Sequence, residues 1–198
     1  MMKFDKLILA TNNKHKIAEM TAMLEDTGIT ILTRDDLEDF PNIEETGTTL
    51  EENALLKSRL IFSHYRVPAV ADDTGLEVEV LDGAPGVYSA RYAGPNCNFE
   101  DNNRKLLKEL TDVSFDRRIA KFATVIAISF DGGDFTHRGE VDGVIAESMM
   151  GVNGFGYDPV FFYPPLQKTY AQMTLEEKNR VSHRGRALAK FKDWLIAP

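Results

Sequence analysis

Asp72-Asp73-Thr74-Gly75 follows the apolar run at residues 67–71, and the carboxyl end of such a run is where open α/β sheets present side chains to a ligand. Two adjacent carboxylates repel each other, and they are tolerated when a hard cation, a hydrogen-bonded turn or a proton to be moved compensates them. The chemistries open to this pair are metal ligation and general-base catalysis, beside a plain Asp-rich turn with Gly75.

Thr11-Asn12-Asn13-Lys14-His15-Lys16 stands where an apolar strand passes into a helical pattern. Unpaired backbone N–H groups and the helix dipole make that junction an anion site, to which Asn13 and Lys16 add donors for phosphate oxygens. It is not a Walker loop, because G-x-x-x-x-G-K-[ST] is absent from the chain; the other reading is a polar loop with a helix cap. Projected from Leu50 at about 100° per residue, Asn53 and Lys57 share the helical arc of Leu50, Ala54, Leu60 and Ile61. A lysine on an inward face snorkels, pairs with a carboxylate, or lines a cavity that holds an anion.

Gly154-Phe155-Gly156-Tyr157-Asp158-Pro159 lacks the third glycine and the following helix of a dinucleotide loop. Its two aromatics offer a stacking face, with Asp158 as acceptor for a base N–H, or else they form a turn with Phe155 and Tyr157 in the core. Ser182-His183-Arg184-Gly185 opens the last apolar helical pattern, with Ser182 as its N-cap. His183 and Arg184 would oppose the dipole there, a broken local rule that an anionic or acceptor-rich ligand explains. A hydrolytic triad has no G-x-S-x-G elbow, and four histidines with one cysteine show no zinc spacing.

Residues 35–52 hold eight carboxylates and no Lys or Arg, whereas the last 31 residues hold seven Lys or Arg against three carboxylates. If folding joins these segments, a carboxylate-held cation faces a basic rim, which suits Mg²⁺ sharing substrate phosphates; segregated surface charge is the other reading. Over the chain, 23 Lys plus Arg against 31 Asp plus Glu give a formal charge of −8, which argues against a nucleic acid polymer as partner. The lone Cys97 has no internal disulfide partner, and no window reaches the roughly 18 apolar residues of a membrane span. A cytoplasmic chain without signal peptide or membrane contact is expected. Its 198 residues, 43% hydrophobic and 27% charged, predict one domain over 1–198 with a sizeable core.

To position these residues, the pattern predicts a strand at 7–10, a helix carrying Ile17, Met20 and Leu24 and stopped by Gly28, and a strand at 29–32. Thr49 with Glu52 makes a capping box for a helix to about His64, and residues 67–71 form a buried strand ending at Asp72 and Asp73. Leu76, Val78 and Val80 alternate with acidic residues as a further strand, and Asn98 or Asp101 opens a helix carrying Leu106, Leu107 and Leu110. Residues 119–130 and 135–146 flank a hairpin turn at 131–134, and residues 151–165 read as irregular. Thr174 with Glu177 is a second capping box, and Leu188, Phe191 and Leu195 line the last helix. Such alternation around a long hairpin specifies a mixed-sheet α/β or α+β domain.

Together these segments resemble the inosine triphosphate pyrophosphatase family, also called XTP/dITP diphosphatases. The resemblance runs over nearly the whole chain, through Ala10-Thr11-Asn12-Asn13 with Lys16, Glu44-Glu45-Thr46-Gly47, Glu52-Asn53-Ala54 with Lys57, and residues 71–76 and 83–92, then residues 154–162 and Glu177-Lys178 with Ser182-His183-Arg184-Gly185. It implies a mixed α/β fold with a long twisted sheet and flanking helices, two lobes around a nucleotide cleft, and a homodimer. It also implies Mg²⁺-dependent hydrolysis of non-standard purine nucleoside triphosphates to monophosphate and pyrophosphate. By position, Asp73 would be general base and metal partner and Glu45 a metal ligand. Thr11 to Lys16, Lys57 and Lys178 would bind phosphates, while Thr74, Phe155, Gly156, Tyr157, Asp158, His183 and Arg184 would hold the nucleoside.

Overall fold

The computed structural model describes residues 3–197. Among these, eight strands form one mixed sheet in the order β2-β1-β3-β5-β6-β7-β8, with β4 paired to β3. The strands are β1 (Lys6–Leu9), β2 (Thr30–Leu32), β3 (Ala69–Val78), β4 (Pro85–Gly86), β5 (Ile119–Phe130), β6 (Gly133–Ile145), β7 (Phe161–Tyr163) and β8 (Lys168–Thr169). The helices are α1 (Lys14–Leu24), α2 (Leu50–Tyr65), α3 (Phe99–Glu109), α4 (Leu175–Val181) and α5 (His183–Ile196). β1 is parallel to β2 and β3, whereas β7 is antiparallel to β6 and β8, so the sheet is mixed as expected. No helix is long and apolar enough to cross a membrane among the described residues.

The chain divides into two compact units, one of residues 1–73, 124–139 and 184–198, the other of residues 74–123 and 140–183. In the first, β1 is apolar without alternation because both its faces are covered. Leu7 and Leu9, with Val70 of β3, pack against Met20 and Leu24 of α1 and Leu188, Phe191 and Leu195 of α5. Ile8 and Ala10, with Ala69 and Ala71, pack against Ile61 of α2. Leu60, expected on the inward arc of α2, is instead 37% exposed, since the arc that meets the sheet is narrower than the projection allowed.

In the second unit, Leu76 and Val78 of β3, Leu106 of α3 and Leu110, Phe122 of β5 and Phe161 of β7 close one core. Asn98 caps α3, accepting from Asp101 N while Asp101 reciprocates, and Thr174 with Glu177 does the same for α4.

Two strand expectations also fail. The strand predicted to end at Asp72 continues as β3 to Val78, while Val80 falls in a 3₁₀ turn at Glu79–Leu81; repulsion between the carboxylates does not break the strand, for reasons set out below. The stretch 151–165, read as irregular for its glycines and prolines, contains β7, whose pairing with Val144 and Ile145 outweighs that composition.

Candidate active site

Successive side chains in a strand point to opposite faces. Asp72 therefore follows Val70 toward α1 and α5, and Asp73 follows Ala71 toward α2. The two carboxylates, 1% and 5% exposed, are each neutralised on their own face, which is why β3 can run through them.

On the α2 face, Lys57 Nζ lies 2.7 Å from Asp73 Oδ1 and 2.8 Å from Glu45 Oε1. Asn53 Nδ2 approaches Asp73 Oδ2 at 3.4 Å, and its Oδ1 accepts Gly47 N–H at 2.8 Å. Glu52, in the first turn of α2, accepts from Thr48 N and Oγ1. Glu45 sits on a loop, so its place is inherited from α2 through these ties. A Cβ on Gly47 would stand 2.6 Å from Asn53 Oδ1, so glycine is needed for this close approach. Burial holds the Asp73 carboxyl above the usual carboxylate range; Lys57 works against this and the charge of Glu45 adds to it. Burial opposes charge on Lys57, but Asp73 and Glu45 outweigh it and the ammonium is held above its ordinary range. Of the three sequence readings for Lys57, pairing with carboxylates is the one observed. Among the described residues, no group of three or more His, Cys, Asp or Glu side chains gathers as a metal site; the convergent pair is Glu45 with Asp73.

On the opposite face, Lys16 Nζ lies 3.1 Å from Asp72 Oδ1, while Arg184 reaches Asp72 Oδ2 at 2.9 Å and Glu19 Oε2 at 2.6 Å. Burial opposes ionisation of Asp72, but Lys16 and Arg184 overcome it and hold the carboxyl well below its ordinary range. Burial draws Lys16 below its ordinary range despite Asp72. Asn13 caps α1, its side chain accepting from His15 N and Lys16 N. Thr11 is half-buried, whereas Asn12, Lys14 and His15 are exposed beside this helix start. The cap therefore engages two of the backbone N–H groups that the anion reading would offer to a phosphate.

Within the second unit, Asp158 Oδ2 accepts Phe155 N–H at 2.8 Å and Lys178 Nζ at 2.6 Å. Lys178 Nζ also stands 4.8 Å from the centre of the Phe155 ring, a cation–π distance. His183 stacks on Phe122 at 4.2 Å and 15°, and Tyr157 donates to Ser89 O. Thr74 is half-buried on β3.

Within the first unit the structure thus gathers Lys57, Glu45 and Asp73 on one face of β3 and Lys16 and Arg184 around Asp72 on the other, and within the second it gathers Phe155, Asp158 and Lys178 in one loop cluster and His183 and Tyr157 against Phe122. Lys178, expected on phosphate, is paired with Asp158 in the aromatic loop. Arg184, expected to donate to a base, is 2% exposed and engaged by two carboxylates. Sequence reasoning missed Glu19, which is buried. No helical spacing marked it, because it lies about 100° round α1 from Met20, and its burial comes from pairing with Arg184.

Residues 7–194 match the Ham1 family. A dITP/XTP pyrophosphatase of Geobacter sulfurreducens is 50% identical over 191 residues, covering 96% of each chain. One of Thermoanaerobacter pseudethanolicus is 47% identical over the same length and coverage. Among solved structures, the Staphylococcus aureus Ham1 protein has a TM-score of 0.86 at 40% identity, covering 96% of this chain and 97% of that one. A HAM1 protein from Coxiella burnetii reaches 0.87 at 40% identity, covering 96% and 98%. With its mixed sheet, its paired strand carboxylates and this extent of match, the chain belongs to the Ham1 family.

Proposed function

We propose that this protein hydrolyses non-standard purine nucleoside triphosphates (ITP, dITP and XTP) between the α and β phosphates, releasing a nucleoside monophosphate and pyrophosphate. The observation that carries this reading is Asp73, a buried carboxylate held above its usual range beside Lys57 and Glu45. A base working near neutral pH needs such a raised pKa. The relatives named dITP/XTP pyrophosphatase support the substrate class.

Asp73 takes the proton of the attacking water, whose oxygen forms the new bond to the α phosphorus as the bond to the leaving pyrophosphate oxygen breaks. Lys16 and the loop from Thr11 to His15 at the start of α1 bind the phosphate chain. Lys57 orients Asp73 through their ion pair and neutralises charge that gathers on the phosphates.

The donor set fits Mg²⁺: Glu45 and Asp73 bring two hard carboxylate groups close together beside Lys57, and Mg²⁺ is commonly held by one or two carboxylates plus substrate phosphates. When bound there, the metal would polarise the phosphate oxygens and offset their charge.

Phe155 offers a face for the base, and Asp158 shapes the loop that carries it. His183 is the donor we assign to a 6-oxo group, since Lys178 and Arg184 are both held by carboxylates, with Thr74 near the sugar. Adenine presents a 6-amino donor at that place, so ATP is a poor substrate.

Incubation with ITP and Mg²⁺ tests the reading: pyrophosphate is expected, whereas orthophosphate would indicate attack at the γ position and no product would indicate a nucleotide-binding regulator. We also propose, on the family resemblance, a cytoplasmic homodimer; a monomeric mass by light scattering at micromolar protein would refute the assembly.

A further inference from the structure

We propose that Asn103 is a positioning residue for base recognition, fixing the Gly156 peptide and with it the orientation of Phe155; this rests on the base-holding role given to that loop above.

The loop is closed at its base by Asp158, which accepts from Phe155 N. A Cβ on Gly154 would stand 2.0 Å from the same carboxylate oxygen, so glycine is required there. Gly156, further along, has φ of +62° and open space around a Cβ. Neither side-chain bulk nor its own dihedral preference therefore holds this peptide in one orientation. What holds it comes from α3. Asn103 Nδ2 donates to Gly156 O at 2.8 Å, and Phe99, four residues earlier, sets its ring 5.9 Å from that of Phe155. Residues four apart share a helix face, so α3 applies both contacts to one loop.

The assignment of the amide follows from chemistry, because a carbonyl only accepts and the NH₂ end must face it. Asn103 is 2% exposed, and its Oδ1 is then buried without a hydrogen-bond partner among the described residues. Leaving a buried acceptor unmet is unfavourable, so packing alone would favour an apolar side chain at this position. The asparagine makes sense for the donor it supplies.

The test compares Asn103→Ala and Asn103→Asp with Phe155→Ala, measuring KM and kcat for ITP together with inhibition by inorganic pyrophosphate. Loss of one neutral hydrogen bond should raise KM for ITP by about three- to tenfold in the Asn103 variants, with kcat within about twofold and pyrophosphate inhibition unchanged. Asn103→Asp adds a readout that packing would not move. A carboxyl buried at this place and facing a carbonyl is pushed up from the ordinary value of about 3.9; its ionised form cannot donate to Gly156 O but its protonated form can, so its KM relative to the unaltered protein should fall as pH is lowered from 8 to 5. An unchanged KM in Asn103→Ala, or a relative KM for Asn103→Asp that is flat with pH, overturns the proposal. If Phe155→Ala raises KM and the Asn103 variants do not, this inference alone fails. If none of the three raises KM, the base-holding role of the loop fails with it.

Discussion

Lys57 and Asp73 form a 2.7 Å ion pair in which both side chains are almost wholly buried. Burial of a charged pair is costly unless each member is further satisfied, and here Glu45 completes the ammonium while Asn53 approaches the carboxylate. The arrangement keeps Asp73 ionisable yet more basic than a surface aspartate.

Asp73→Asn should abolish turnover while leaving nucleotide affinity within about tenfold, since the amide cannot take the proton from water and the proposed phosphate contacts lie on other residues. Steady-state kinetics with ITP and a direct binding titration check it. Near-normal turnover would remove Asp73 from the mechanism.

Glu45→Gln should act on metal demand. The amide is a weaker ligand for Mg²⁺, so the concentration giving half-maximal rate should rise several-fold. A Mg²⁺ titration of activity that overlays the unaltered protein's would reject ligation by Glu45.

Arg184→Ala should lower stability by about 3–5 kcal/mol, because it strips a buried cation from two buried carboxylates, Asp72 and Glu19. Its effect on ITP and ATP hydrolysis should be the same factor for both. Urea unfolding and paired kcat/KM values decide; a selective loss for ITP would restore Arg184 to the base.

His137 gives a pH dependence. Its ring packs against Phe191 and Trp194, and its Nε2 is buried without a hydrogen-bond partner among the described residues. Burial first, then the charge of Lys190, holds its pKa below the ordinary 6.5; Arg138 next to it in sequence adds no carboxylate to favour protonation. The unfolded chain therefore binds this proton more readily, so stability is present above about pH 6.5 and is lost as pH falls toward the lower folded value. His137→Phe should flatten the fall in unfolding midpoint between pH 7 and 5.5. Parallel curves for the two proteins would show that other groups set the acid response.

Most elements could be read from the sequence because local signals agree with tertiary need. Thr49 does cap α2, Asn98 does cap α3, and the 119–146 hairpin is present. The reach of β3 could not be read. Whether an Asp-Asp step breaks a strand depends on cations from Lys16, Lys57 and Arg184, as many as 112 residues away in sequence. The candidate site was legible as residue types, and Lys57, Asp73 and Lys16 take part in the ion pairs on the two faces of β3. Their pairings were not, because a side chain's partner follows from which face of the sheet it meets. For that reason the pairing of Arg184 with Asp72 and Glu19, and of Lys178 with Asp158, is visible only in the fold.

The alternation along β3 has a consequence for how this chain can vary. β3 behaves as a reading frame whose phase is set by its pairing to β1 at Ala69 and Val70. One residue inserted after Val70 would exchange the faces of Asp72 and Asp73, sending each carboxylate to the other's helices, with every side chain in the cluster still present. Substitutions here alter single contacts, whereas a change of length by one scrambles two charge networks at once; only a change by two would keep the phase.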